Sequence, residues 1–193
     1  MGKVYEGIDG RLREFVLAQP MFFVATAPSG AGGHINVSPK GGTGCLTVLD
    51  EHRVAYLDYT GSGAETIAHL RENGRITLML CAFSGAPKIV RLYGHGRVVA
   101  PGGADFPRLL ARFPAQPARG LRSVIEVAVE RISDSCGYQV PLMDHIGDRD
   151  LLVQWAERKS DEELASYRRT RNARSIDGLP AFSDRTAGDG SNR

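Results

Sequence analysis

Several things that would narrow the possibilities are scarce or missing in this chain. Its 193 residues hold three cysteines, Cys45, Cys81 and Cys136. They form no CxxC pair and lie too far apart for a zinc knuckle, which excludes a disulfide framework and a cysteine-based zinc site. The thiols are expected to be buried or half-buried in a reducing compartment. No stretch approaches the run of about 18 apolar residues that a membrane helix needs. The opening MGKVYEGIDGRLREF has no apolar signal core, and the expected location is the cytoplasm. An excess of one charge is also missing: 24 basic against 22 acidic side chains, a formal +2, give no general reason to expect nucleic acid or an anionic membrane as partner. The five histidines, His34, His52, His69, His95 and His145, do not fall at H-x-H or H-x₃-H spacing, so no metal site is expected. Neither a catalytic triad nor a carboxylate pair stands out.

What is present is a chain of ordinary globular composition, 42% hydrophobic and 24% charged, long enough to bury roughly 70% of its unfolded surface. Ile8, Leu12, Phe15 and Val16 recur at helical spacing and predict a first helix ending near Gln19-Pro20. Strand material follows. MFFVATA and GHINVS, joined by PSGAGG, read as a hairpin, and CLTVL and RVAYLDY flank the turn Asp50-Glu51-His52. In GHINVSPKGG, Ile35 and Val37 alternate with Asn36 and Ser38, and Pro39-Lys40-Gly41-Gly42 is expected to stop the pairing. RITLMLCAF, KIVRLYGHGRVVA and RSVIEVAVERIS supply three more strands, and ADFPRLLARF a brief helix. Six or seven strands with hairpin-length connections predict a mainly β (α+β) fold, an antiparallel barrel with peripheral helices.

Between the fourth and fifth of these strands, LDYTGSGAET places Gly61-x-Gly63 after a strand and before a helix, as a dinucleotide fingerprint begins. Thr66 stands where a third glycine belongs. Consecutive strands follow, whereas a Rossmann sheet needs crossover helices. The turn still has its own physics: a helix start exposes N–H groups and a positive dipole end suited to phosphate, and Tyr59, Thr60, Ser62 and Thr66 add hydroxyls there. Ser62 and Glu65 have capping-box spacing. Arg91, inside an apolar strand, wants an anionic partner if it points inward.

Taken in order, NVSPKGG, VAYLDYTGSGAETIAHLREN, RITLML and IVRLYGHGRVV resemble the pyridoxamine-5'-phosphate-oxidase-like family of flavin-binding split barrels, over roughly Phe15 to Ser133; GYQVPLM and NARSIDGLP resemble segments of a bacterial subgroup. The resemblance implies a homodimer with flavin mononucleotide at each interface groove. It implies that Ser38 and Lys40 approach the cofactor from the end of their strand, that Tyr59, Thr60, Ser62 and Thr66 line the phosphate side, and that Arg91 reaches the phosphate from the neighbouring subunit. The implied activity is flavin-dependent redox chemistry without a catalytic side chain. The alternatives are a non-catalytic flavin carrier or redox sensor, or a deazaflavin-dependent reductase. One departure stands out: Glu65-Thr66 occupies the place of a basic pair in the true oxidases, so Glu65 is expected to turn from the phosphate into the Ser62 capping box.

Residues 1–135 are thus expected to form the flavin-binding barrel, 136–182 a loop and helices packed on it, and 183–193 a disordered tail. In the second unit Asp148 is expected to cap GDRDLLVQWAERK, and Ser160 with Glu163 to cap DEELASYRRTR. Trp155 should anchor these helices, and the run Arg168, Arg169, Arg171, Arg174 is most simply a solvated face, the alternative being that it closes over an anionic ligand.

Overall fold

The computed structural model describes residues 2–114 and 119–182, and the expectation for 183–193 falls outside them. Asp9 caps helix α1 (Gly10–Ala18), its carboxylate accepting from the Leu12 amide. Hairpin β2 (Met21–Thr26) and β3 (Asn36–Gly41) follows, then β4 (Leu46–Asp50) and β5 (Arg53–Tyr59), helix α2 (Glu65–Glu72), and strands β6 (Arg75–Cys81) and β7 (Ile89–Val99). The short α3 (Phe106–Leu110) leads into β8 (Leu121–Ser135), and α4 (Leu151–Glu157) and α5 (Asp161–Arg171) close the set. The strands form one sheet in the order β3-β2-β6-β7-β8-β5-β4, every pairing antiparallel. The seven strands of that path are the ones foreseen. A two-residue β1 (Val4–Tyr5) on the flank of β8 was not, since two residues carry no periodicity.

Two contacts show how strongly the sheet curls. Phe22 on β2 and Tyr56 on β5 are separated by three intervening strands, yet their rings meet edge-on with centroids 5.5 Å apart. Lys40 on β3, one end of the strand order, reaches Asp58 on β5, next to the other end, at 3.2 Å. The sheet is therefore a half-barrel wrapped round an apolar interior, and helices α1 and α2 contribute Leu12, Val16 and Ile67 to the same buried cluster. A smaller cluster, with Leu57, Val124, Leu109 and Phe113, seats α3 on the sheet. The bend in β7 is built on Gly94, where the register with β8 shifts. A Cβ there would stand 1.9 Å from the Ala128 carbonyl oxygen, so only glycine allows the approach.

Four local expectations are corrected. Pro39 does not stop its strand: Pro39, Lys40 and Gly41 pair in register with Phe23, Phe22 and Met21. The strand lies at the sheet edge, where a residue without an N–H is tolerated. The chain turns away at Gly42, whose φ of 100° suits glycine. Ser62 does not cap α2; the N-cap is Ala64, with no side-chain bond. Asp148 does not cap α4 but bonds the Thr43 amide and hydroxyl, pinning the loop after β3. Cys136 is exposed, while Cys45 and Cys81 are buried as expected. The Ser160–Glu163 capping box is present. Trp155 is half-buried and packs edge-on against Tyr167, joining α4 to α5.

Candidate functional site

Side chains at alternate positions of a strand share a face, so Asn36, Ser38 and Lys40 point together from β3, half-buried, while Val37 and Pro39 face solvent. Across from them are the end of β5 and the turn into α2. Between lies a cleft of about 330 Å³ lined by Ser38, Lys40, Tyr59, Ser62, Glu65 and Thr66, with Arg122 in its wall. Five of the seven residues singled out in the sequence meet here. The cleft is at the small end of the range usual for small-molecule sites. A second cleft of about 280 Å³, between the Gly42–Thr43 turn and α4, shares Gly41, Tyr59 and Leu152 with it.

The other two residues do not line the first cleft. Thr60 is in the wall of the second, almost fully buried, donating to the Gly120 carbonyl at 2.8 Å and accepting from Arg168 Nε at 2.9 Å. Arg91 on β7 lines neither cleft; its guanidinium donates to Ser135 Oγ at 3.0 Å.

Beneath the cleft is a polar network absent from the sequence reading. Asp58, on β5 and 2% exposed, accepts from Lys40 Nζ at 3.2 Å, from Arg122 Nε at 2.6 Å and from Ser123 Oγ at 3.2 Å. Burial pushes the Asp58 carboxyl up, but Lys40 and Arg122 outweigh it and hold the group below its ordinary range. Arg122 goes on to donate to Asn172 Oδ1 at 3.0 Å, and Asn172 Nδ2 donates to the Gly61 carbonyl at 2.9 Å. The segment after α5 is thereby tied to the turn that starts α2. Ala181 of that segment is fully buried in the main core, and the Phe182 ring lies against the guanidinium groups of Arg71 and Arg122. Arg168, expected on a solvated face, is half-buried, and burial lowers its affinity for the proton. Asp58 and Arg122 carried the signal that drew notice to Arg91: a charge inside an apolar strand run wants a partner. Asn172, in an aperiodic segment, carried none.

Glu65 is the opposing group. A Cβ on Gly63 would stand 2.5 Å from its carboxylate, which places that carboxylate back over the turn and within the lining of the cleft. The cleft can thus offer an ammonium, four hydroxyls and the uncapped start of α2 to an anionic ligand, with one carboxylate against them.

A family model described as pyridoxamine 5'-phosphate oxidase matches residues 8–136. The Aspergillus flavus protein named pyridoxamine 5'-phosphate oxidase family protein ustO is 41% identical over 192 residues, covering 92% of this chain and 77% of that one. Among solved structures, a HupZ variant from Group A Streptococcus matches with a TM-score of 0.50 at 22% identity, over 66% of this chain and 99% of that chain; this likeness concerns the fold. An FMN-binding protein from Syntrophomonas wolfei subsp. wolfei matches with a TM-score of 0.46 at 16% identity, over 63% and 82%.

Proposed function

The chain belongs to the pyridoxamine 5'-phosphate oxidase family, and on that footing we propose that it is a cytoplasmic homodimer that binds flavin mononucleotide and acts as a flavin-dependent oxidoreductase. The supporting observation is the single cleft in which Ser38, Lys40, Tyr59, Ser62 and Thr66 surround the uncapped start of α2. Hydroxyls and helix N–H groups are donors matched to phosphate oxygens, and Lys40 adds charge. Leu57, Tyr59, Pro39 and Leu152 supply flatter, less polar lining for a ring. Such a cofactor supplies hydride or electron transfer, and the protein contributes position and electrostatics. Arg91, outside this cleft, acts in the reading as the phosphate contact donated by the partner chain. Residues 136–182 pack on the barrel as part of the same unit, tied in through Asn172 and Arg168.

In the dimer, the exposed apolar side chains Ile35, Val37, Tyr138, Leu142 and Ile146 are available to the partner chain. The second reading is a non-catalytic flavin carrier, in which Lys40 and Arg122, both ion-paired to Asp58, spend their charge within the protein instead of tuning the electronics of a bound ring.

The deciding experiment is an absorption spectrum of the purified protein, with mass analysis of whatever denaturation releases. Flavin mononucleotide reduced by NADH or NADPH and reoxidised with turnover supports the enzyme. Bound flavin that stays oxidised supports the carrier, and a colourless protein that takes up neither flavin mononucleotide nor riboflavin defeats both. Within the enzyme reading, Arg91→Ala should weaken flavin mononucleotide about tenfold to a hundredfold, the loss of about 1.5–3 kcal/mol in charge-assisted bonding, and riboflavin much less. Equal loss for both ligands would remove Arg91 from the phosphate. Glu65→Gln should bind flavin mononucleotide as well as the parent or better, since the opposing charge is gone.

A further inference from the structure

Asn36 does not line the cleft, yet two of the cleft's hydroxyls end on its side chain. Its amide nitrogen donates to Thr66 Oγ1 at 3.1 Å and to Thr26 Oγ1 at 3.2 Å, and its amide oxygen accepts from Ser38 Oγ at 3.0 Å. Thr26 Oγ1 in turn lies 2.9 Å from Nδ1 of His69, a side chain with no exposed surface whose Nε2 lacks a hydrogen-bond partner among the described residues. The amide is thus held from β2, β3 and α2 at once, with both of its protons placed.

A hydroxyl has one proton to give and two lone pairs to receive. Thr66 already receives from Asn36, so its proton is left for the cleft. Ser38 already gives its proton to Asn36, so lone pairs are what it has left. We propose that Asn36 is a positioning residue that sets opposite polarities on the two hydroxyls, Thr66 as donor beside the start of α2 and Ser38 as acceptor on β3. The cleft then selects a ligand with an anionic oxygen at the α2 end and a hydroxyl donor alongside β3. The inference rests on the flavin reading and refines it: phosphate oxygens lie at Thr66, and a sugar-chain hydroxyl points at Ser38.

The test is a double-mutant cycle on Thr66→Val and Asn36→Leu, both near-isosteric and uncharged. Flavin mononucleotide and riboflavin are titrated against the full chain, and thermal unfolding reports folding of each variant. Thr66→Val should lower flavin mononucleotide affinity about tenfold, the effect of one lost hydrogen bond to a charged group, and riboflavin less than about twofold. Asn36→Leu should lower flavin mononucleotide affinity in the parent, but in the Thr66→Val background should add no more than the modest loss seen for Ser38→Ala, because the rest of its effect runs through Thr66. Ser38→Ala should weaken both flavins to the same modest extent.

Unchanged or tighter flavin mononucleotide binding by Thr66→Val would overturn the proposal, since Thr66 would then face the phosphate with lone pairs. So would losses that multiply in the double variant, or an equal loss of riboflavin in Asn36→Leu. A parent that binds neither flavin sinks the flavin reading instead. The same cycle is then read through the thermal shift caused by inorganic phosphate: a shift lost in both single variants upholds the polarity, and a shift kept in Thr66→Val refutes it.

Discussion

Asp58 and Glu126 stand on the paired strands β5 and β8, each carboxylate withdrawn from solvent and each facing two cations, yet their surroundings differ. Around Asp58 the partners are buried or half-buried, Arg122 at 5% and Lys40 at 23% exposed, and the network runs on through Asn172 to Gly61. Around Glu126 the partners Arg97 and Arg53 are about half exposed, and they divide their charge with Asp105 and Asp50. Water can replace what a half-exposed arginine loses; it cannot replace a partner in the dry network. The first cluster therefore couples β3, β5, β8 and the C-terminal segment into one structure beneath the cleft. The second ties β8 to its neighbours β5 and β7.

The sharpest way to break this contrast is Asp58→Asn. It leaves Arg122 buried without its counter-charge, and the expected loss in denaturant unfolding is about 3–5 kcal/mol; a loss below about 1 kcal/mol would erase the distinction. Because the folded-state pKa of Asp58 is depressed, its stabilisation is present above the unfolded carboxylate's value of about 3.9. It disappears as pH falls through the lower, folded value. Unfolding curves of parent and Asp58→Asn should accordingly differ widely at neutral pH and converge in acid, and a gap that persists at the lowest pH would contradict the linkage.

Next in size is Asn172→Ala, which strands the Arg122 guanidinium and the Gly61 carbonyl together and should cost about 1–3 kcal/mol. It should also raise hydrogen exchange at the turn before α2, which no change around Glu126 should do. The smallest effect is expected from Glu126→Gln, about 1 kcal/mol or less, with half-exposed arginines turning to water. If Glu126→Gln proves as costly as Asp58→Asn, solvent exposure of the partners is not what separates the clusters.

The contrast also explains what could be read in advance. The strands, the first helix and the Ser160–Glu163 cap follow from periodicity and spacing within a few residues, and five of the seven expected site residues share the cleft. Two of the misreadings are places where a distant element competed for a local group. Asp148 had the spacing to cap a helix but was taken by Thr43. Arg168 had the look of a surface arginine but reached Thr60. Ser62 and Glu65 had the pattern of a capping box, yet the helix begins at Glu65 with Ala64 as its cap.

The sequence by itself determined the alternation that makes β2, β3 and β5 to β8 strands, the glycine that lets β7 bend against β8, and the placement of polar side chains on one face of β3. These depend on neighbours within a turn or two, where side-chain periodicity and steric limits act directly. Only the tertiary structure decided that Lys40 meets Asp58, that Arg122 and Asn172 close the network, and that Asn36 holds both Ser38 and Thr66. Those pairings exist because the sheet curls until strands far apart in its order face each other, and a buried charge or amide takes whichever partner that closure brings within hydrogen-bond reach.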